Sequence, residues 1–128
     1  MNILTIPHVH IIYTVAPMVL TPPMNTTVSE EEDAIFTCRV SGRPRPSILW
    51  YYVESLSDIM TMNRPEPLND ADGNYRVEQM PMGDRDLESN LTVLMTLPSD
   101  TGFYVCFAQN AVAGGIAIAS ASLSVEGQ

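Results

Sequence analysis

Lysine is absent from this chain of 128 residues, and its six arginines face 15 aspartates and glutamates. The net charge of −9 leaves no basic face for neutralising phosphates, so the sequence argues against nucleic acid as a partner. Histidine occurs twice, at His8 and His10. Nucleophilic catalysis needs a base beside the nucleophile and a third group to orient it, and nothing in the chain supplies that set. A glycine-rich phosphate loop is also missing, because Gly114-Gly115 reads as a hairpin turn. The chain is therefore read as a non-enzyme. No apolar run reaches the ~18 residues that a helix needs to cross a bilayer. Any membrane attachment would come through parts of a parent chain beyond these residues.

Metal ligands are equally scarce. His8 and His10 share one face of an extended segment but lack a third ligand. Asp70-Ala71-Asp72-Gly73-Asn74 looks like the start of a calcium loop. It fails where such a loop needs a turn glycine, at Tyr75, and where it needs a bidentate glutamate, at Pro81. It is read as a turn, and no metal or cofactor is expected. The two cysteines, Cys38 and Cys106, stand too far apart for a zinc knuckle and have no companion ligands. They are either core thiols or the ends of a long disulfide loop.

What is present points to strands. Hydrophobic residues make up 45% of the chain, enough for a real core. Ala34-Ile35-Phe36-Thr37-Cys38 alternates with period 2, placing Ala34, Phe36 and Cys38 on one face. A strand over 47–53 turns Ile48, Trp50 and Tyr52 inward. Asp100-Thr101-Gly102-Phe103-Tyr104-Val105-Cys106 reads as a tight corner, eased by Gly102, and then a strand with Tyr104 and Cys106 on one face. Further strands are expected over 75–78, around Leu91 and Val93 with Leu97 closing over the core, and over 115–125. Prolines between Pro17 and Pro23 mark an edge strand. Ser41 to Pro46 is read as a turn, and Arg39, Arg43 and Arg45 as solvated side chains near it.

Cys38, Trp50 and Asp100-x-Gly102-x-Tyr104-x-Cys106 together resemble the immunoglobulin superfamily. Gly42-x-Pro44-x-Pro46-x-Ile48-x-Trp50 and the run Ala108 to Gly114 resemble its I-set branch. That resemblance covers residues 17–125. It implies an all-β, immunoglobulin-like β-sandwich of two antiparallel sheets with Greek-key connections. It also implies a Cys38–Cys106 disulfide packed against Trp50, a tyrosine corner at Tyr104, and an Asp100–Arg76 ion pair. The expected organisation is a lead-in strand or linker over 1–15, one domain over 16–126, and a terminal pair at 127–128.

The same strand parities turn Leu49, Tyr51, Val105, Phe107, Ile116 and Ile118 outward. A sheet open to water should alternate apolar with polar, so six apolar side chains are expected to form a partner-binding patch. The partner is a protein, with a two-fold pairing of like faces as the simplest form. Two triplets, at Asn25 and Asn90, match the glycosylation acceptor pattern. The resemblance implies an extracellular recognition or adhesion module of a larger cell-surface protein. Its rival is a structural spacer in an intracellular cytoskeletal protein, with free thiols and no sugar.

Overall fold

The computed structural model describes residues 13–61, 66–112 and 114–127. His8, His10 and most of the expected lead-in lie outside these residues.

Among the described residues, eight strands form two sheets of four. They are β1 (Val15–Thr21), β2 (Thr26–Ser29), β3 (Ala34–Arg43), β4 (Ser47–Val53), β5 (Tyr75–Met82), β6 (Asp86–Val93), β7 (Gly102–Gln109) and β8 (Ile116–Glu126). One sheet has the order β1-β3-β6-β5 and the other β2-β8-β7-β4. Every pairing is antiparallel except β2 with β8, which run parallel. The two sheets are thus antiparallel as expected, with this one parallel pairing at the edge of the second. After β1 the chain crosses from one sheet to the other over Pro22 and Pro23, and β2 then enters alongside the last strand.

The inner faces follow the alternation read from sequence. Phe36, Cys38 and Val40 of β3 meet Trp50 of β4, Leu91 and Val93 of β6, Tyr104 and Cys106 of β7, and Leu123 of β8 in one buried cluster. Pro17 lies in β1 and Pro81 in β5, the two edges of their sheet, where a missing N–H breaks no ladder.

Several boundaries differ from expectation. β3 runs through Gly42 and Arg43, so the turn into β4 is confined to Pro44–Pro46, with a cis Arg43–Pro44 peptide. β5 continues to Met82 because its ladder with β6 holds register from Tyr75–Val93 to Met82–Asp86. Leu97 does not close the core; it is exposed. Thr96 is the buried residue there, its hydroxyl donating to the Glu32 carbonyl at 2.8 Å. Asp70–Asp72 is a short 3-10 turn. The Asp70 carboxylate accepts from the Val77 amide at 2.7 Å, which binds the turn to the start of β5.

Candidate recognition surface

A recognition surface needs a rigid base, and the inner face supplies it. Cys38 and Cys106 are bonded, with Cα atoms 6.5 Å apart across the two sheets. Trp50 is buried beside them, and its indole N–H donates to the Ser89 hydroxyl at 2.8 Å. Ser89 stands at an inward position of β6 among Leu87, Leu91 and Val93. A serine at an apolar parity of β6 is the sequence signal for this bond.

Three hydrogen bonds and one close approach of backbone to ring fix the corner before β7. The Tyr104 hydroxyl donates to the Asp100 carbonyl at 2.7 Å. Burial, with the nearby Tyr75 and Asp100 charges, pushes the Tyr104 hydroxyl far above its usual range, so it stays a donor. The Asp100 carboxylate accepts from the Leu97 amide at 2.8 Å. The expected Asp100–Arg76 ion pair does not form: among the described residues the ion pair is Arg39–Asp86, at 2.9 Å. Gly102 has φ 155°, and a Cβ there would stand 2.6 Å from the Tyr52 ring. Tyr52 in turn donates its hydroxyl to the Thr101 carbonyl at 2.8 Å.

At the opposite end, Asn110 joins three segments. Its Nδ2 donates to the carbonyls of Val15 at 2.8 Å and Pro44 at 3.0 Å, and its Oδ1 accepts from Val112 at 3.1 Å. The arginines read as solvated are also engaged. Arg39 pairs with Asp86, the Arg43 guanidinium lies 5.3 Å from the Tyr13 ring centre, and Arg45 donates to the Gly83 carbonyl at 2.6 Å.

The outer face of the β2-β8-β7-β4 sheet carries the six residues expected to form an apolar patch. All six do face away from the inner core, and β8 has the expected register. They are not one exposed patch. Tyr51, Val105 and Phe107 are only 7%, 3% and 5% exposed, whereas Leu49, Ile116 and Ile118 are 37%, 51% and 45% exposed. Tyr51, Val53, Val105 and Phe107 make a second small core on this face, joined by Phe103 and by Ile59 from the 3-10 turn Leu56–Thr61. The Tyr51 ring stands edge-on to Phe107, with centroids 5.9 Å apart. Val53 shares the parity of Tyr51 and was legible in that sense. Ile59 lies in an irregular stretch that carries no periodicity.

Register makes the surviving surface specific. Leu49, Phe107 and Ile118 form one row across β4, β7 and β8, with Ile116 two positions before Ile118. The result is three exposed aliphatic side chains flanking a buried aromatic floor. No cluster of three or more potential metal ligands occurs among the described residues.

The two sequons sit differently. Asn25 lies between β1 and β2, and its Oδ1 accepts from the Ser122 amide of β8 at 2.9 Å. Asn90 lies in mid-strand on the outer face of the other sheet, and its Oδ1 accepts from the Thr37 hydroxyl at 2.6 Å.

A family model described as "Immunoglobulin domain" matches residues 16–110. Roundabout homolog 2 of Homo sapiens is 32% identical over 111 residues, spanning 85% of this chain and 6% of that protein. Titin of Drosophila melanogaster is 28% identical over 86 residues, 61% of this chain. Among solved structures, the N-terminal Ig1-2 module of the Drosophila receptor protein tyrosine phosphatase DLAR superposes with a TM-score of 0.71 at 25% identity. That match covers 88% of this chain and 50% of the other. The chain thus spans a small part of these full-length relatives.

Proposed function

Because the chain belongs to the immunoglobulin-domain family, we propose that it is an I-set module of an extracellular protein that recognises another protein through the outer face of the β2-β8-β7-β4 sheet. The observation that carries this reading is the row Leu49–Phe107–Ile118. Exposed aliphatics stand there over a floor packed like an interior, the anatomy of an interface centre. Burying each exposed side chain is worth about 1.5–3 kcal/mol before the costs of association. The partner is a protein with a complementary apolar face, and a second copy of the chain meets that description by two-fold pairing. The Cys38–Cys106 bond supports placement in an oxidising compartment. Asn25 and Asn90 are then glycan acceptors, and neither side chain is directed into the inner core.

The test is Leu49→Asp with Ile118→Asp in the secreted chain. Both positions are exposed, so the melting temperature should stay close to the parent value. Self-association by light scattering, or capture of a cell-surface partner, should fall at least about tenfold, as losing one such side chain implies. Unchanged association and capture in a folded double variant would refute the surface.

The titin relationship favours a second reading, a spacer inside the cell. It requires free thiols at Cys38 and Cys106 in protein taken from its native source, and no sugar at either sequon. Thiol alkylation followed by mass spectrometry separates the two.

A further inference from the structure

Asn90 occupies the middle of a sheet face that is apolar in two places. Across the ladder its direct partners are Thr37 on β3 and Glu78 on β5. Its diagonal neighbours on the same face are Ile35, opposite Thr92, and Met80, opposite Glu88. Both Ile35 and Met80 are exposed. On the Ile35 side the surface dips into an open cleft of ~210 Å³ lined by Thr21, Pro22, Met24, Thr26, Ile35 and Thr37. Thr37, the residue that holds Asn90, is thus also the near wall of the cleft.

We propose that the first N-acetylglucosamine of a glycan on Asn90 packs over Ile35 into this cleft, masking the β1-β3-β6-β5 sheet and leaving the opposite sheet for recognition. The inference rests on the extracellular reading above, because only the secretory pathway attaches this sugar. In that transfer Asn90 Nδ2 attacks C1 of a lipid-pyrophosphate-linked oligosaccharide. The N–C1 bond forms, the C1–O bond to pyrophosphate breaks, and one amide proton leaves.

The direction of packing follows from amide geometry. A secondary amide is planar and trans, which places the nitrogen substituent on the same side of the C–N bond as the oxygen. Asn90 Oδ1 is turned towards Thr37. C1 of the sugar therefore leaves on the Thr37 side, towards β3 and the cleft, and away from Met80 on β5. A sugar ring has an apolar face of C–H groups, and burying it against an exposed aliphatic side chain removes both from water. Asn25 lacks this setting. Its oxygen is turned to β8 of the other sheet, and the cleft is lined by its neighbours Met24 and Thr26 instead.

The experiment compares the full chain secreted from a eukaryotic host, trimmed enzymatically to one N-acetylglucosamine per site, with oxidised chain from a host that adds no sugar. Asn25→Gln in both samples confines the comparison to Asn90. Mass spectrometry first reports occupancy: an unmodified Asn90 in secreted protein refutes the glycan reading itself. With Asn90 occupied, the sugar should raise the melting temperature by about 3 °C, the shift that roughly 0.8 kcal/mol produces in a domain of this size. Ile35→Ser should reduce that difference to under about 1 °C, and Met80→Ser should leave it intact. A cross-peak between the acetyl methyl and the Ile35 δ-methyl should appear in the nuclear Overhauser spectrum of the parent. A difference that survives Ile35→Ser, or one abolished by Met80→Ser alone, overturns the packing while leaving glycosylation standing.

Discussion

At the residue scale, the centre of the domain is a polar bond inside an apolar core. Trp50 fills the space beside the disulfide, but its N–H needs a partner once buried, and Ser89 is that partner. Two substitutions separate shape from polarity. Trp50→Ala removes a large aromatic and should destabilise by about 3–5 kcal/mol in urea or guanidinium unfolding. Ser89→Ala keeps the packing nearly intact but strands the indole donor, and should cost about 1–3 kcal/mol. Equal effects from the two would mean that Ser89 matters for volume and not for its hydrogen bond. Gly102 belongs to the same scale. A methyl group there meets the Tyr52 ring at 2.6 Å, so Gly102→Ala should cost about 1–3 kcal/mol as overpacking does. A loss that persists in a Gly102→Ala, Tyr52→Phe double variant at the same size would assign it to the ring and not to the hydroxyl.

At the scale of elements, β3 and β6 form the middle of their sheet and carry its one described ion pair. The Asp86 carboxyl lies below its ordinary value of 3.8 because the Ser41 hydroxyl and the Arg39 guanidinium bond its charged form. A lowered folded value means that the unfolded chain binds the proton more readily in acid. The contribution to stability is therefore complete above 3.8 and is lost as the pH falls below it. The pair is solvent-facing, so the effect is small. Asp86→Asn should lower the unfolding midpoint at neutral pH, and the two midpoint curves should converge in acid. Curves that stay parallel to the lowest pH would remove the pair from the account of the β3–β6 ladder.

The elements also show where strand reading reaches its limit. β4 and β7 are buried on both sides over part of their length, by the inner core on one face and by the Tyr51–Phe107 cluster on the other. Alternation is defined only when one face is wet. Six outward apolar residues therefore signalled either an exposed patch or a second covered face. In the folded chain Tyr51, Val105 and Phe107 are covered, in a cluster against which Ile59 and Phe103 pack, whereas Leu49, Ile116 and Ile118 stay exposed.

At the scale of the whole molecule, one covalent link joins the sheets. The Cys38–Cys106 bond spans 68 residues of chain, and a loop of that length is worth roughly 4 kcal/mol in the chain-entropy model. Reduction under native conditions should lower stability by about 2–5 kcal/mol, read as the shift of the denaturant midpoint with and without reductant. A chain that keeps its midpoint after complete reduction would be held by its core alone, as an intracellular spacer must be.

The sequence by itself determined the strand faces, because that evidence is local and periodic, and it implied the sandwich through its resemblance to the immunoglobulin superfamily. Alternation over 34–40, 47–53 and 102–109 fixes which side chains can share a face, and Cys38, Trp50, Tyr104 and Cys106 identify the faces that meet. It did not determine what lies on the far side of a strand. The parallel entry of β2 beside β8, the packing of Ile59 against the cluster of Tyr51, Val53, Val105 and Phe107, the Ser89 partner of Trp50, and the choice of Asp86 over Asp100 as a partner for arginine all join residues remote in the chain. No spacing encodes such pairs. They follow from how two twisted sheets stack and where an irregular segment comes to rest, and that is settled only when the whole chain packs.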